Sequence, residues 1–160
     1  MGSSTDTASA RRLQVRRVFD APPQRLFQAW TTPEELKHWH APGPLSCVLA
    51  EIDLRVGGRF RIHMREPDGK EHRVVGAYRV IDPPKRLAYT WQWETKSTNN
   101  DLVETLVTIE FLPRGTGTEL VLTHEGFASE EARTSHEHGW SAIMEKLAIA
   151  PRANPERSQR

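Results

Sequence analysis

The chain has a single cysteine, Cys47, among its 160 residues. One thiol excludes an intramolecular disulfide and a Cys-rich zinc site, and it sets a reducing, cytoplasmic location as the expectation. No stretch approaches the roughly 18 consecutive apolar residues that a membrane span needs. The opening MGSSTDTASA is not followed by the apolar run of a signal peptide. Residues 1–12 and 151–160 are polar and arginine-rich, and both are expected to be disordered tails. A strong charge of one sign is missing too, since 22 basic and 21 acidic residues leave +1. Five of those arginines and two of the acids lie in the tails, so the body holds 17 basic and 19 acidic residues, a net −2. A nucleic-acid binder carries a basic body, so nucleic acid is not an expected partner. There is no Gly-x-Ser-x-Gly elbow, and Gly57-Gly58 lacks the lysine and helix of a phosphate loop.

What the chain does have is alternation. Leu13, Val15 and Phe19 share one side of a first strand. Asp20 is placed to cap a helix with Pro22 and Pro23 in its first turn and Leu26, Phe27 and Trp30 on its apolar face. Thr32 and Pro33 open a second short helix, Glu34 to Trp39, broken by Ala41-Pro-Gly-Pro44. Strands follow over 45–54, 59–66, 72–81, 87–93, 103–111 and 119–124. Pro67-Asp68-Gly69 is a hairpin signal between the second and third of these. Glu130 to Ala150 is a long helix capped by Ser129. His136, Trp140, Ile143, Met144 and Leu147 fall on one of its faces. Residues 13–150 thus form one α+β domain, a bent antiparallel sheet of about seven strands gripping a long C-terminal helix, with two short helices after strand one.

The motifs carry a resemblance. They are Arg17-Val-Phe-Asp-Ala-Pro22, Ala29-Trp-Thr-Thr-Pro33, Val56-Gly-Gly-Arg-Phe60, Asp68-Gly69, Gly76-Ala-Tyr78, Pro83-Pro84-Lys-Arg-Leu87, Tyr89-Thr-Trp91 and His138-Gly-Trp140. Together they resemble the helix-grip fold of the SRPBCC superfamily, which includes START-type lipid-transfer domains and polyketide cyclases. Within it the chain resembles the family of the activator of heat-shock protein 90 ATPase, C-terminal-domain type. That resemblance implies a pocket between sheet and long helix for a small apolar or amphipathic ligand. It also implies contact with a chaperone as a secondary expectation, because only a dozen residues precede the first strand, where the co-chaperone has a further domain.

The leading reading is therefore a cavity for a small hydrophobic or amphipathic molecule. Strand residues Phe60, Ile62, Met64, Trp91, Trp93, Val107, Ile109 and Phe111 are the expected walls on one side. His136, Trp140, Ile143 and Met144 of the helix face them, with Trp39 at the mouth. Core packing explains any one of these tryptophans alone; their convergence points to a pocket. A second reading is a cyclase-like or hydrolase-like enzyme using His136 with Tyr89 or Tyr78 as acid–base groups. A third is a chaperone-accessory interaction module, marked by an exposed apolar patch. His124 and His63 rank below His136. No cofactor is implied. No metal site is implied either, since His136 and His138 diverge on a helix and His38 and His40 share that spacing. Cys47 sits mid-strand and is not an expected nucleophile. Arg59, Arg61, Arg65, Arg73 and Arg79 are expected on the outer sheet face, paired with Glu51, Asp53 or Glu110. An edge strand leaves a homodimer open.

Overall fold

The computed structural model describes residues 11–94 and 102–149. It contains strand β1 (Arg12–Phe19), helices α1 (Pro23–Thr31) and α2 (Pro33–Trp39), strands β2 (Ser46–Ile52), β3 (Arg59–Arg65), β4 (Glu71–Asp82), β5 (Arg86–Trp93), β6 (Thr105–Arg114) and β7 (Gly117–Glu125), and helix α3 (Glu130–Leu147). The strands form one open sheet in the order β1-β7-β6-β5-β4-β3-β2, antiparallel throughout. This is the α+β architecture expected from the alternation.

Local chemistry explains most boundaries. Gly69, at φ 98°, supplies the left-handed turn residue of the β3–β4 hairpin. Asp68 secures that turn by accepting from the Lys70 amide. Gly76 answers a different need: a Cβ there would sit 1.9 Å from the Thr90 carbonyl and 2.4 Å from the Phe60 ring. Ser129 caps α3 as expected, accepting from the Ala132 amide. Glu130 and Glu131 in the first turn and Lys146 in the last complement the helix dipole.

Some expectations need correction. Asp20 does not cap α1. Pro22 holds the N-cap position in extended conformation, and its carbonyl accepts from Arg25 and Leu26. Thr32 occupies the N-cap position of α2, but its hydroxyl donates back to the Gln28 carbonyl of α1. β1 begins at Arg12, inside the expected tail. Val103 precedes β6 and is exposed, so the alternation that continues into it overshoots the strand. The arginine row does face outward, yet Arg65 and Arg73 pair with Glu71 of their own hairpin. Register puts Glu71 directly opposite Arg65, while the expected Glu51 stands opposite Arg61.

The core lies between the inner face of the sheet and the three helices. α1 covers β6 and α2 covers β2. α3 contributes Ala132, Trp140, Ile143, Met144 and Leu147. Arg25 and Glu35, 2.6 Å apart and mostly shielded, tie α1 to α2. Among the described residues no helix is long and apolar enough to cross a membrane.

Candidate functional site

One end of the inner face is open. A cavity of about 260 Å³ lies between β3, β4, β5 and the middle of α3. Its apolar walls are Trp91 and Trp93 of β5, Met64 of β3, and Trp140 and Ile143 of α3. Pro42 and Leu45, from the loop after α2, close one side. Glu66 and His72 stand together on the hairpin side, their carboxylate and Nε2 2.5 Å apart. Ser135, His136 and Gly139 complete the helical wall. Ligand sites commonly start near 300 Å³, and a cavity of about 150 Å³ accepts benzene. This space therefore suits a molecule of one or two rings.

Two histidines fix the tryptophan walls, and the donor pattern fixes their tautomers. An indole N–H only donates. Trp140 Nε1 donates to His124 Nδ1 over 3.0 Å, so His124 carries its proton on Nε2. That proton is donated to Thr105 Oγ1 at 2.7 Å, and the Thr105 hydroxyl donates to the Trp91 carbonyl at 2.9 Å. In the same way Trp93 Nε1 donates to His136 Nε2 at 2.9 Å. His136 Nδ1 then donates to the Ala132 carbonyl, one turn back in α3, at 2.7 Å. Both imidazoles must be neutral to accept an indole N–H. Burial, and then the neighbouring His136, hold His124 well below the ordinary histidine range.

The Activator of Hsp90 ATPase homolog 1-like protein family has a profile that matches residues 20–150. The chain belongs to this family. Solved structures agree with the assignment. A protein from Chromobacterium violaceum is 26% identical with a TM-score of 0.78, over 87% of this chain and 95% of that one. A protein from Rhodobacter sphaeroides is 27% identical at TM-score 0.75, covering 89% and 93%. The AHSA1 protein from Silicibacter pomeroyi is 28% identical at 0.73, covering 86% and 94%. No curated protein matches the chain.

In this family member the expected site residues separate into groups. Met64, Trp91, Trp93, His136, Trp140 and Ile143 do come together around the cavity. Phe60 and Ile62 face a second, water-sized void of about 10 Å³, further along the inner face, which Tyr78, Tyr89 and His40 also line. Val107, Ile109, Phe111 and Met144 are buried in solid packing, where Phe111 meets the rings of Phe27 and Trp30. Trp39 is not at the mouth: it is 1% exposed, packs on Trp30 and donates to the Ala29 carbonyl. The expected acid–base trio does not converge. His136 has both ring nitrogens engaged at the open end, while Tyr89 accepts from Trp30 at the other. Burial raises both tyrosines, Tyr78 and Tyr89, above the ordinary phenol range.

Other residues that shape the site rank low in the sequence, as His124 does, or carry no expectation there. His124 lies on the same inward parity as Leu120 and Leu122, and His72 on that of Val74, so alternation held the signal for both. Gly139 and Ser135 had no such signal, because small residues contribute nothing to an apolar stripe. Among the described residues no group of three or more His, Cys, Asp or Glu side chains gathers to hold a metal. Burial pushes the Cys47 thiol up to about 11, so it is a poor nucleophile at neutral pH.

Proposed function

We propose that the protein binds a small apolar or amphipathic molecule of one or two rings in the cavity between β5 and α3. The observation that carries this is Gly139. It lies inside an 18-residue helix, without a positive φ, and a Cβ built on it meets nothing within 4 Å. A helix-interior glycine costs about 0.5–1 kcal/mol relative to alanine. Neither turn geometry nor close packing accounts for it, and the space it leaves is the cavity. Apolar burial against the tryptophans would supply the affinity, at about 25 cal/mol per Å². A cytoplasmic setting fits the buried, reduced Cys47.

Native mass spectrometry of the purified protein, with tryptophan-fluorescence titration of small aromatic probes, tests this reading. A co-purified small molecule, or saturable quenching with one site per chain, is the expected result. The absence of both would refute it. The enzyme and chaperone-accessory readings predict other outcomes, namely turnover of the bound molecule or a stable complex with the chaperone. The family name supports the second of these.

A further inference from the structure

Resting on that reading, the polar groups of the cavity allow its ligand class to be narrowed. Most are already committed. His136 accepts from Trp93 and donates to Ala132, and Glu66 is bonded to His72. Trp93 and Trp140 have their indole N–H groups tied to histidines. Trp91 is the exception among the three ring walls: its Nε1 is buried and has no hydrogen-bond partner. Behind it stands His40, 1% exposed, with neither ring nitrogen partnered. The His40 ring lies 5.9 Å from that of Trp91 and 5.6 Å from that of Trp140. It also lines the inner void shared with Tyr78 and Tyr89. His40 therefore lies outside the open cavity, between that void and two of the rings, Trp91 and Trp140, that wall the cavity.

Unpartnered buried polar groups are costly, because each loses its bonds to water without a replacement. Three nitrogens on two adjacent rings form a local concentration of that cost. Together they offer two donors, the Trp91 N–H and the one N–H of a neutral imidazole, and one acceptor. Such a set matches an oxygen that both accepts and donates. It does not match a carboxylate, because no lysine or arginine lines the cavity and its one carboxylate, Glu66, would repel an anion. Burial also keeps His40 neutral, with its pKa pulled down to about 4, so it supplies no positive charge for an anion either.

We propose that Trp91 in the cavity wall, together with His40 packed behind it, hydrogen-bonds a neutral hydroxyl on a one- or two-ring aromatic ligand. Tryptophan walls hold the rings, and the hydroxyl sets their direction. Trp91, whose indole is not tied to a histidine, is the wall that yields to let the hydroxyl reach His40.

The test compares three probes of one shape: naphthalene, 2-naphthol and 2-naphthoate, titrated by tryptophan fluorescence against the full chain at neutral pH. Wild type should bind 2-naphthol tightest, with 2-naphthoate weaker by about tenfold or more because the buried partners cannot serve its charge. His40→Leu should lower the ratio of 2-naphthol to naphthalene affinity by about five- to tenfold, the value of one or two lost hydrogen bonds. Trp91→Phe should lower the same ratio, and it carries the test if His40→Leu does not fold. Ratios unchanged in both variants, or wild type binding 2-naphthoate as well as 2-naphthol, would overturn the inference while leaving the cavity reading standing. Failure of all three probes to bind wild type would overturn both.

Discussion

At one end of the inner sheet face, Phe111 is enclosed by Phe27 and Trp30 and is 1% exposed. At the other, Trp91, Trp93 and Trp140 surround empty volume. Both ends are aromatic, so residue type does not separate them. What separates them is what covers the sheet. The closed end is covered by α1 and α2, which insert Leu26, Phe27, Trp30 and Leu36, and by the C-terminal half of α3 with Met144 and Leu147. The open end is covered by the middle of α3, which turns Ser135 and Gly139 toward the sheet, with Pro42 and Leu45 along one side. The lesson is that a cavity here is made by small side chains on the helix, while two of the large rings around it, Trp93 and Trp140, are held in place by hydrogen bonds. Protein interiors otherwise pack to crystal-like density.

That contrast can be broken at several points, and the largest effect is expected at the closed end. Phe111→Ala should cost about 3–5 kcal/mol in urea denaturation, since its site is enclosed on every side. Met64→Ala, at the open end, should cost nearer about 2 kcal/mol, because Met64 already borders empty space. Equal losses would mean the two ends are equally packed.

The next effect concerns pH. His40 and His124 are both buried with depressed pKa values. The unfolded chain protonates its histidines near 6.5, and the folded chain does not. The stability they contribute is therefore complete above 6.5 and is lost as pH falls through that value toward about 4, where His40 itself protonates. His40 alone should account for about 3 kcal/mol of this acid loss, measured by melting curves from neutral pH downward. His40→Leu should flatten that slope. A slope unaltered by the variant would show that His40 is not the group responsible.

Smaller effects sharpen the picture of α3. Gly139→Ala should raise stability by about 0.5–1 kcal/mol, because its Cβ meets open space and its backbone freedom falls. A loss of stability would place an unseen constraint at that position. Ser129→Ala should cost about 1 kcal/mol through the lost cap to Ala132, read by the same melts.

The fold was largely legible because strand alternation is a strong, local signal. Leu87, Tyr89 and Trp91 on β5, and Leu120 and Leu122 on β7, all point inward as their parity dictates. The site was legible only in part. Parity placed Phe60, Ile62 and Met64 on one face, but it could not show that α1 and α2 fill the space beside the first two and not the third. His136 was rightly placed on the helix stripe. Its hydrogen bonds to Trp93 and Ala132, which occupy it fully, are tertiary facts with no trace in spacing. His124 ranks below His136 in the sequence, yet it anchors Trp140. His40 follows the end of α2, where no periodicity marks it as core, yet it is buried with its ring against those of Trp39, Trp91 and Trp140.

The central claim is that the space beside Gly139 is a binding site. The most direct measurement is the shift in melting temperature produced by 2-naphthol in wild type and in Gly139→Leu, whose side chain would occupy the cavity. The account predicts a concentration-dependent rise for wild type, and no rise for a variant that is itself at least as stable as wild type. Equal rises in both proteins would place the binding elsewhere and contradict it.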